Sequence, residues 1–181
     1  MDNLTGLLIE NERFFNEHDL SPIPTNLLCR IDELGKCKLI KNGIENMSAT
    51  HHEVFGNLSR SKSIAGISPI FDIDYPEFFL SIARQKIPIT IITTEAIFDK
   101  IEKDHMNALQ SYLKCDDAKM HTIKDSRLAF VVTDSFISIS LYKNGTIDAS
   151  TNLISFEASA IKWGMELFEY YKLKSKEIKS L

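Results

Sequence analysis

The chain has few cysteines, widely scattered glycines and no long apolar run. Its three cysteines form no C-x-x-C pair, which argues against a disulfide framework and against a zinc site. The seven glycines are too dispersed for a phosphate-binding loop or a dinucleotide-binding fingerprint. No apolar stretch approaches the roughly 18 residues of a membrane span, and the acidic N-terminal segment is unlike a signal peptide. We therefore expect a cytoplasmic protein with no membrane partner.

An excess of basic residues is also absent. The chain carries 21 Lys and Arg against 25 Asp and Glu, which gives a formal net charge of −4. DNA-binding surfaces neutralise phosphates with Lys and Arg, so an acidic chain of this kind is a poor nucleic-acid binder by itself. The hydrophobic fraction of 44% over 181 residues is typical of one globular domain, or of one domain with a small appendage.

The N-terminal quarter predicts two helices and a connector. An amphipathic helix is expected over residues 4–18, and a second helix is expected to begin at a capping Thr25 and to end at Gly35. We assign residues 1–45 to this helical piece. Residues 46–181 are then predicted to form an α/β domain.

The middle of the chain predicts a βαβα unit. Residues 63–71 are typical of a buried strand, and a helix is expected to follow with Asp74 as its cap. A second apolar strand over 89–93 leads into a long helix that begins at Thr94 and continues past His105. Strands and helices of these lengths predict parallel strands with a right-handed crossover.

The last third predicts added antiparallel strands and a closing helix. Strands are expected over 118–123, 127–134 and 136–142, a hairpin turn at Asn144-Gly145, and a helix from about 155 to 173. The predicted fold class is therefore mixed α/β, with a βαβα parallel core, added antiparallel strands, helices on both faces and a small N-terminal helical piece.

No catalytic or metal-binding set can be assembled from the sequence. Ser68 stands in half of a nucleophile elbow, but Pro69 follows it and lacks the backbone N–H that an oxyanion hole needs. His51 and His52 are adjacent, so on a helix they point about 100° apart and cannot share a metal as an i, i+4 pair does. We expect no catalytic residue, no metal and no cofactor.

Hydroxyl groups do collect where α/β sheets bind ligands. Ser68, Thr93, Thr94 and Thr133 lie at strand ends, and ligands commonly bind at the carboxyl ends of parallel strands. Alternation along the 136–142 strand places Phe136, Ser138, Ser140 and Tyr142 on one face. That face either lines an amphipathic pocket or meets water. Arg127 either binds a ligand carboxylate or pairs with Asp125 or Asp134.

Several segments, taken in order, resemble the sensor (middle) domain of archaeal winged-helix transcription regulators of the methanogenesis-regulatory type. The segments that carry the resemblance are GISPIF (66–71), YPEFF (75–79), ITTEAIFDKI (92–101), FVVTD (130–134), LYKNG (141–145) and AIKWG (160–164). The likeness extends over nearly the whole chain.

The resemblance implies a phospholipase-D-like fold used for binding and not for catalysis. The catalytic pattern of that fold is H-x-K-x4-D, and no histidine of this chain satisfies it. It also implies a homodimer with a small-molecule effector. Arg127 and the face of Ser138 and Ser140 predict an anionic or amphipathic effector. In the family a winged helix precedes this domain. None is expected here, so DNA would be contacted only through a domain absent from this chain.

The resulting hypothesis is a ligand-sensing, dimerising domain of a transcription regulator. Two alternatives stay open: an enzyme with its pocket at the same strand ends, and a pure protein-interaction module that uses a Phe- and Tyr-rich surface. The predicted ligand-binding residues are Ser68, Phe71, Tyr75, Thr93, Thr94, Arg127, Thr133, Ser138, Ser140 and Tyr142.

Overall fold

A computed structural model describes residues 11–43 and 49–179 of the chain, and its elements build one mixed sheet with helices on both faces. The helices are α1 (Glu12–Glu17), α2 (Thr25–Leu28), a 3₁₀ turn (Ile31–Leu34), α3 (Ala49–Leu58), α4 (Tyr75–Arg84), α5 (Glu95–Asp104), α6 (Met106–Leu113) and α7 (Ala158–Lys172). The strands are β1 (Cys37–Lys41), β2 (Ile64–Ser68), β3 (Ile89–Thr94), β4 (Ala118–Ile123), β5 (Leu128–Thr133), β6 (Ile137–Lys143), β7 (Thr146–Ile147), β8 (Thr151–Ser155) and β9 (Lys176–Ile178).

The sheet joins a parallel centre to antiparallel flanks. Its strand order is β1-β8-β6-β5-β2-β3-β4-β9, with β7 paired to β6. Strands β2, β3 and β4 are parallel to one another, and the remaining pairs are antiparallel. The predicted mixed α/β class and its parallel β2–β3 pair are confirmed.

One face of the sheet is covered by α7 and by the N-terminal segment. Trp163 of α7 is fully buried, and its indole Nε1 donates a hydrogen bond to the carbonyl oxygen of Leu27 at 2.9 Å. The guanidinium of Arg30 donates to both carboxylate oxygens of Glu166, at 2.7 and 3.1 Å. The N-terminal segment therefore shares a hydrophobic core with the sheet. A domain boundary at residue 45 stays a prediction.

The opposite face is covered by α3, α4 and α6. Their apolar side chains, among them Leu58, Leu80 and Leu109, pack on the sheet in a second core. Tyr112 of α6 is buried there and donates from its hydroxyl to the carbonyl oxygen of Lys119 at 3.1 Å. Burial raises the pKa of Tyr112. Within the part of the chain that is described, no helix is long and apolar enough to cross a membrane.

The Asn144-Gly145 hairpin is confirmed. Both residues have positive φ angles, 52° and 89°, as a type I′ turn requires. The turn joins β6 to the short strand β7. Strand β8, which follows it, pairs with β1 on one side and with β6 on the other.

Some local predictions are wrong. The helix from Thr94 ends at Asp104, and α6 begins at Met106, because the backbone of His105 (φ −136°, ψ 33°) is not helical. Thr25 is the first residue of α2 and not its cap. The side chain of Asp74 makes no capping hydrogen bond to α4. Of the helix predicted over 4–18, residues 4–10 lie outside the described residues.

Candidate functional site

A cavity of about 540 Å³ lies between the second face of the sheet and helices α3 and α4. Strands β2, β5, β6 and β8 form its floor, and the two helices form its roof. The loop between β2 and α4 closes one side. A volume in this range suits a small organic molecule.

The floor follows from the register of the strands. Gly66 pairs with Val131 and Val131 pairs with Ser138, so these three residues lie side by side across β2, β5 and β6. Ala129 and Ser140 form the neighbouring row. All five residues line the cavity. The alternation predicted for β6 therefore turns Ser138 and Ser140 toward a cavity and not toward bulk water.

The two serine hydroxyls of the floor have different surroundings. Ser140 Oγ donates a hydrogen bond to Asn152 Oδ1 of β8. Ser138 is 4% exposed, and within the described residues its hydroxyl has no hydrogen-bond partner. Ser138 Oγ is not among the fully enclosed polar atoms of the described residues that lack a partner, so it keeps some accessible surface, and Ser138 lines the cavity. Ser138 is therefore available to a molecule inside the cavity.

Aromatic rings form the roof. The rings of His51 and Phe55, one helical turn apart on α3, stack with centroids 4.1 Å apart and planes 5° apart. The Phe55 ring also stacks on Tyr75 at 5.3 Å, and Tyr75 contacts Phe79 edge to face at 5.8 Å. Burial, and to a lesser degree the charge of Asp72, raises the pKa of Tyr75. All of these side chains line the cavity.

The loop that closes the side carries carboxylates. Asp72 and Asp74 both line the cavity, and Asp72 Oδ1 accepts a hydrogen bond from the backbone N–H of Asp74 at 3.0 Å. Ser68 Oγ donates to the carbonyl oxygen of Ile70 at 2.9 Å, which fixes the start of this loop. All 21 Lys and Arg of the chain lie in the described ranges, and none of them lines this cavity. Its charged side chains are therefore acidic.

A smaller cavity of about 250 Å³ lies on the other face of the sheet. It contains Arg13 and Lys143, but both already pair with Glu17, each at 2.6 Å. Hydrogen bonds from Lys143 and Arg13 lower the pKa of the Glu17 carboxyl to about 2. His18, also in this cavity, contacts Asp148 Oδ2 at 3.1 Å. This site is largely satisfied by its own ion pairs.

The large cavity brings together four of the ten predicted residues, namely Ser68, Tyr75, Ser138 and Ser140. Phe71 lies in the adjoining loop, where its ring contacts His105 and the ammonium of Lys100. Binding of a ligand by these residues stays a prediction.

The three predicted threonines hold backbone groups in place. Thr93 Oγ1 donates to the carbonyl oxygen of Ser68 at 2.9 Å, and Thr94 Oγ1 caps α5 by accepting from Ile97 N–H at 3.4 Å. Thr133 Oγ1 accepts from the backbone N–H groups of Ser135 and Phe136, both at 3.1 Å. None of the three lines the large cavity.

Arg127 and Tyr142 lie away from the cavity, beside the N-terminal segment. Arg127 Nη1 is 3.8 Å from Asp19 Oδ2, and its guanidinium lies 5.7 Å from the centre of the Tyr142 ring. Neither predicted partner, Asp125 or Asp134, is the carboxylate it meets. Asp134 instead accepts a hydrogen bond from the backbone N–H of Lys62 at 2.6 Å.

Sequence reasoning missed most of the roof. The i, i+4 pairs His51–Phe55 and Tyr75–Phe79 are the signal that could have shown two aromatic helix faces. Nothing in the sequence identifies Asn152, because β8 was not predicted as a strand. Among the described residues, no three His, Cys, Asp or Glu side chains are grouped as metal ligands.

A comparison with known protein families shows to which family the chain belongs. The sequence model of the family described as "Methanogenesis regulatory protein FilR1, middle domain" matches residues 47–174. The chain belongs to the FilR1 middle-domain family. The resemblance stated from the sequence segments is thereby confirmed.

The FilR1-type assignment is supported by a curated relative. The chain is 32% identical over 190 aligned positions to the methanogenesis regulatory protein FilR1 of Methanothrix harundinacea (strain 6Ac). The alignment covers 98% of this chain and 42% of that protein. The FilR1-type chain thus spans less than half the length of this relative.

Solved structures confirm the fold of the FilR1-type domain. TrmBL2, an archaeal chromatin protein, matches with a TM-score of 0.62 and 12% identity, over 96% of this chain and 60% of that one. Phosphatidylserine synthase from Haemophilus influenzae Rd KW20 matches with a TM-score of 0.59 and 9% identity, over 79% of this chain and 40% of that one. At these identities the likeness concerns architecture only.

Proposed function

We propose that the chain is the effector-sensing and dimerising domain of a transcription regulator, with the effector bound between the sheet and helices α3 and α4. Membership of the FilR1 middle-domain family supports the regulatory role. The observation that carries the binding site is the cavity of about 540 Å³, with the hydroxyl of Ser138 in its floor, which has no hydrogen-bond partner among the described residues. A pocket with an apolar wall and a few convergent polar groups is the usual form of a small-molecule site.

The cavity geometry supports a switching role. Helix α3 supplies His51, Val54 and Phe55 to the roof, and the sheet supplies the floor. A bound molecule contacts both, so it stabilises the arrangement in which α3 has this separation from the sheet. A ligand with greater affinity for one arrangement shifts the population toward it. In a dimer, that shift changes the spacing of the attached domains.

DNA contact belongs, in this proposal, to a winged-helix domain outside the chain. The formal charge of −4 gives this domain little electrostatic attraction for phosphates. The chain aligns with 42% of its FilR1 relative, which leaves most of that protein for other domains. A regulator of this kind acts in the cytoplasm, where the DNA is.

A thermal-shift screen against metabolites tests the effector site. A ligand present at about 100 times its Kd stabilises the native state by about 2.7 kcal/mol, a clear rise in Tm for a domain of this size. Ala129→Leu places a larger side chain in the floor and should abolish the rise. Ala96→Leu, on the exposed surface of α5, is the matched control and should retain it. A rise that persists in Ala129→Leu would place the ligand elsewhere.

Dimerisation is tested by sedimentation velocity with and without the screened ligand. The proposal expects a dimer, and it expects the ligand to change the sedimentation coefficient or the dimer dissociation constant. A monomer at all concentrations, with and without ligand, would contradict the dimerising role while leaving the binding role intact.

Two observations favour the enzyme alternative. The cavity brings together titratable side chains, namely His51, His52, Asp72, Asp74 and Tyr75, and one fold neighbour is an enzyme. Within the described residues, however, no cavity hydroxyl is hydrogen-bonded to a histidine, as an activated nucleophile would be. Turnover of a screened ligand, followed by NMR, would support the enzyme over the sensor.

A further inference from the structure

Resting on the proposed binding function, we infer that the ligand of the large cavity is an organic cation: an apolar body that carries an amine or ammonium nitrogen, with the nitrogen at Asp72 and Asp74. The inference concerns the chemical class of the ligand, and it follows from which charged groups line the cavity and which do not.

The charges lining the cavity favour a cationic ligand over an anionic one. None of the 21 Lys and Arg side chains lines it, whereas Asp72 and Asp74 do, together with His51 and His52. A carboxylate or phosphate inside the cavity would lose hydration without a Lys or Arg to replace it, and it would be repelled by both aspartates. Arg127, the cation predicted to bind an anion, meets Asp19 instead.

The carboxylates have room to accept a further donor. Asp72 Oδ1 is engaged by the backbone N–H of Asp74, and neither aspartate forms a salt bridge with a described Lys, Arg or His. Asp72 is half-buried and Asp74 is exposed. Two carboxylates at one side of the cavity, without a protein counter-ion, favour a positively charged group there. The nearby ring of Tyr75 adds a surface to which a cation is attracted.

The rest of the cavity accommodates the apolar body and one neutral polar group. Phe55, Phe79 and Ile91 supply apolar walls. At the floor, the Ser138 hydroxyl has no hydrogen-bond partner among the described residues. A hydroxyl or carbonyl on the ligand would hydrogen-bond to it, which favours a ligand that carries a polar group at this position.

Competition with a neutral fluorescent probe tests the inference. N-phenyl-1-naphthylamine, an uncharged probe of apolar cavities, is first titrated into the protein. Its binding should be blocked by Ala129→Leu and retained by Ala96→Leu. Probe fluorescence then reports on this cavity alone. Three competitors of similar size are then compared: benzyltrimethylammonium, its uncharged carbon isostere 2,2-dimethylpropylbenzene, and 3-phenylpropionate. We expect the cation to displace the probe about tenfold more effectively than the isostere, and the anion to be the weakest.

Charge-neutralising variants provide the control. The double substitution Asp72→Asn and Asp74→Asn should abolish the advantage of the cation over the isostere, with displacement measured relative to the variant's own probe affinity. Asp116→Asn, at an exposed carboxylate outside the cavity, should leave the ratio as it is. Equal displacement by the isostere, or stronger displacement by 3-phenylpropionate, would overturn the inference while the cavity still binds. Failure of the probe itself to bind would instead count against the proposed binding function.

Discussion

His121 is a buried titratable side chain that the proposed site does not use. Its Nδ1 lies 3.0 Å from Ser175 Oγ, and its Nε2 has no hydrogen-bond partner in the described part of the chain. Burial lowers the pKa of His121. The carboxylates of Glu177 and Glu169 oppose this shift, and the ammonium groups of Lys172 and Lys119 add to it. The protonated form is therefore less stable in the folded chain than in the unfolded one.

A pH dependence of stability follows from His121. Because its folded pKa lies below the unfolded value of about 6.5, its contribution to stability is complete above that pH and is lost as the pH falls toward the folded pKa. We expect Tm to fall between pH 7 and pH 5, and to fall less in His121→Gln. The exposed His52 provides the control, since His52→Gln should keep the acid sensitivity. An NMR titration of His121 at or above the ordinary histidine pKa would contradict this assignment.

The floor of the cavity depends on one strand–strand contact that only glycine allows. A Cβ atom on Gly66 of β2 would lie 2.7 Å from the carbonyl oxygen of Phe130 on β5. Backbone atoms of adjacent strands cannot separate without breaking ladder hydrogen bonds, so the contact cannot relax cheaply. The close approach of β2 and β5 positions Ser68 and Ser138 on the same floor.

Two glycine-to-alanine substitutions should change the free energy of unfolding in opposite directions. Gly66→Ala is expected to lower the free energy of unfolding by about 1–3 kcal/mol, because it forces β2 and β5 apart. Gly56→Ala, in helix α3 where a Cβ would meet nothing within 4 Å, is expected to raise it by about 0.5–1 kcal/mol through helix propensity. Urea denaturation measures both changes. A neutral Gly66→Ala would show that the strand contact is not required.

The elements that could be predicted from sequence are those with a pattern of their own. The sequence predicts strand β4 at 118–123, because its apolar residues are bounded by turns. The structure has the strand at these residues. Strands β8 and β9 were missed, because their short sequences become strands only by pairing with β1, β6 and β4. The break at His105 was missed for a related reason: apolar spacing continues through α5 and α6 although the backbone does not.

The candidate site could be predicted only in part from the sequence. Ser138 and Ser140 were placed on one face by alternation along β6, and the structure puts both in the cavity floor. The threonines at strand ends hold backbone groups, because strand-end position alone does not distinguish a ligand contact from a cap or a turn. The roof depends on how α3 packs over the sheet, which local sequence does not encode.

At the scale of the whole molecule, the two faces of the sheet are packed differently. One face packs α7 and the N-terminal segment into a core anchored by Trp163, whose indole is hydrogen-bonded across that interface. The other face leaves a cavity of about 540 Å³ beneath α3 and α4. The larger of the two described cavities therefore lies on the face opposite Trp163.

The net charge of the chain and its family bear on whether this domain contacts DNA. The chain belongs to the FilR1 middle-domain family, and its net charge of −4 gives it little electrostatic attraction for DNA phosphates. Its proposed output is a change in arrangement passed to a DNA-reading domain. The central claim is therefore that a ligand occupies the cavity beneath α3 and α4.

Methyl NMR during titration with N-phenyl-1-naphthylamine tests that claim most directly. The account predicts saturable chemical-shift changes centred on cavity methyl groups, those of Val54, Leu58, Ile91 and Val131. Methyl groups of the opposite core, such as those of Leu167 and Ile139, should change little. Saturable changes centred on Leu167 and Ile139, or no saturable change at the cavity methyl groups, would contradict the account.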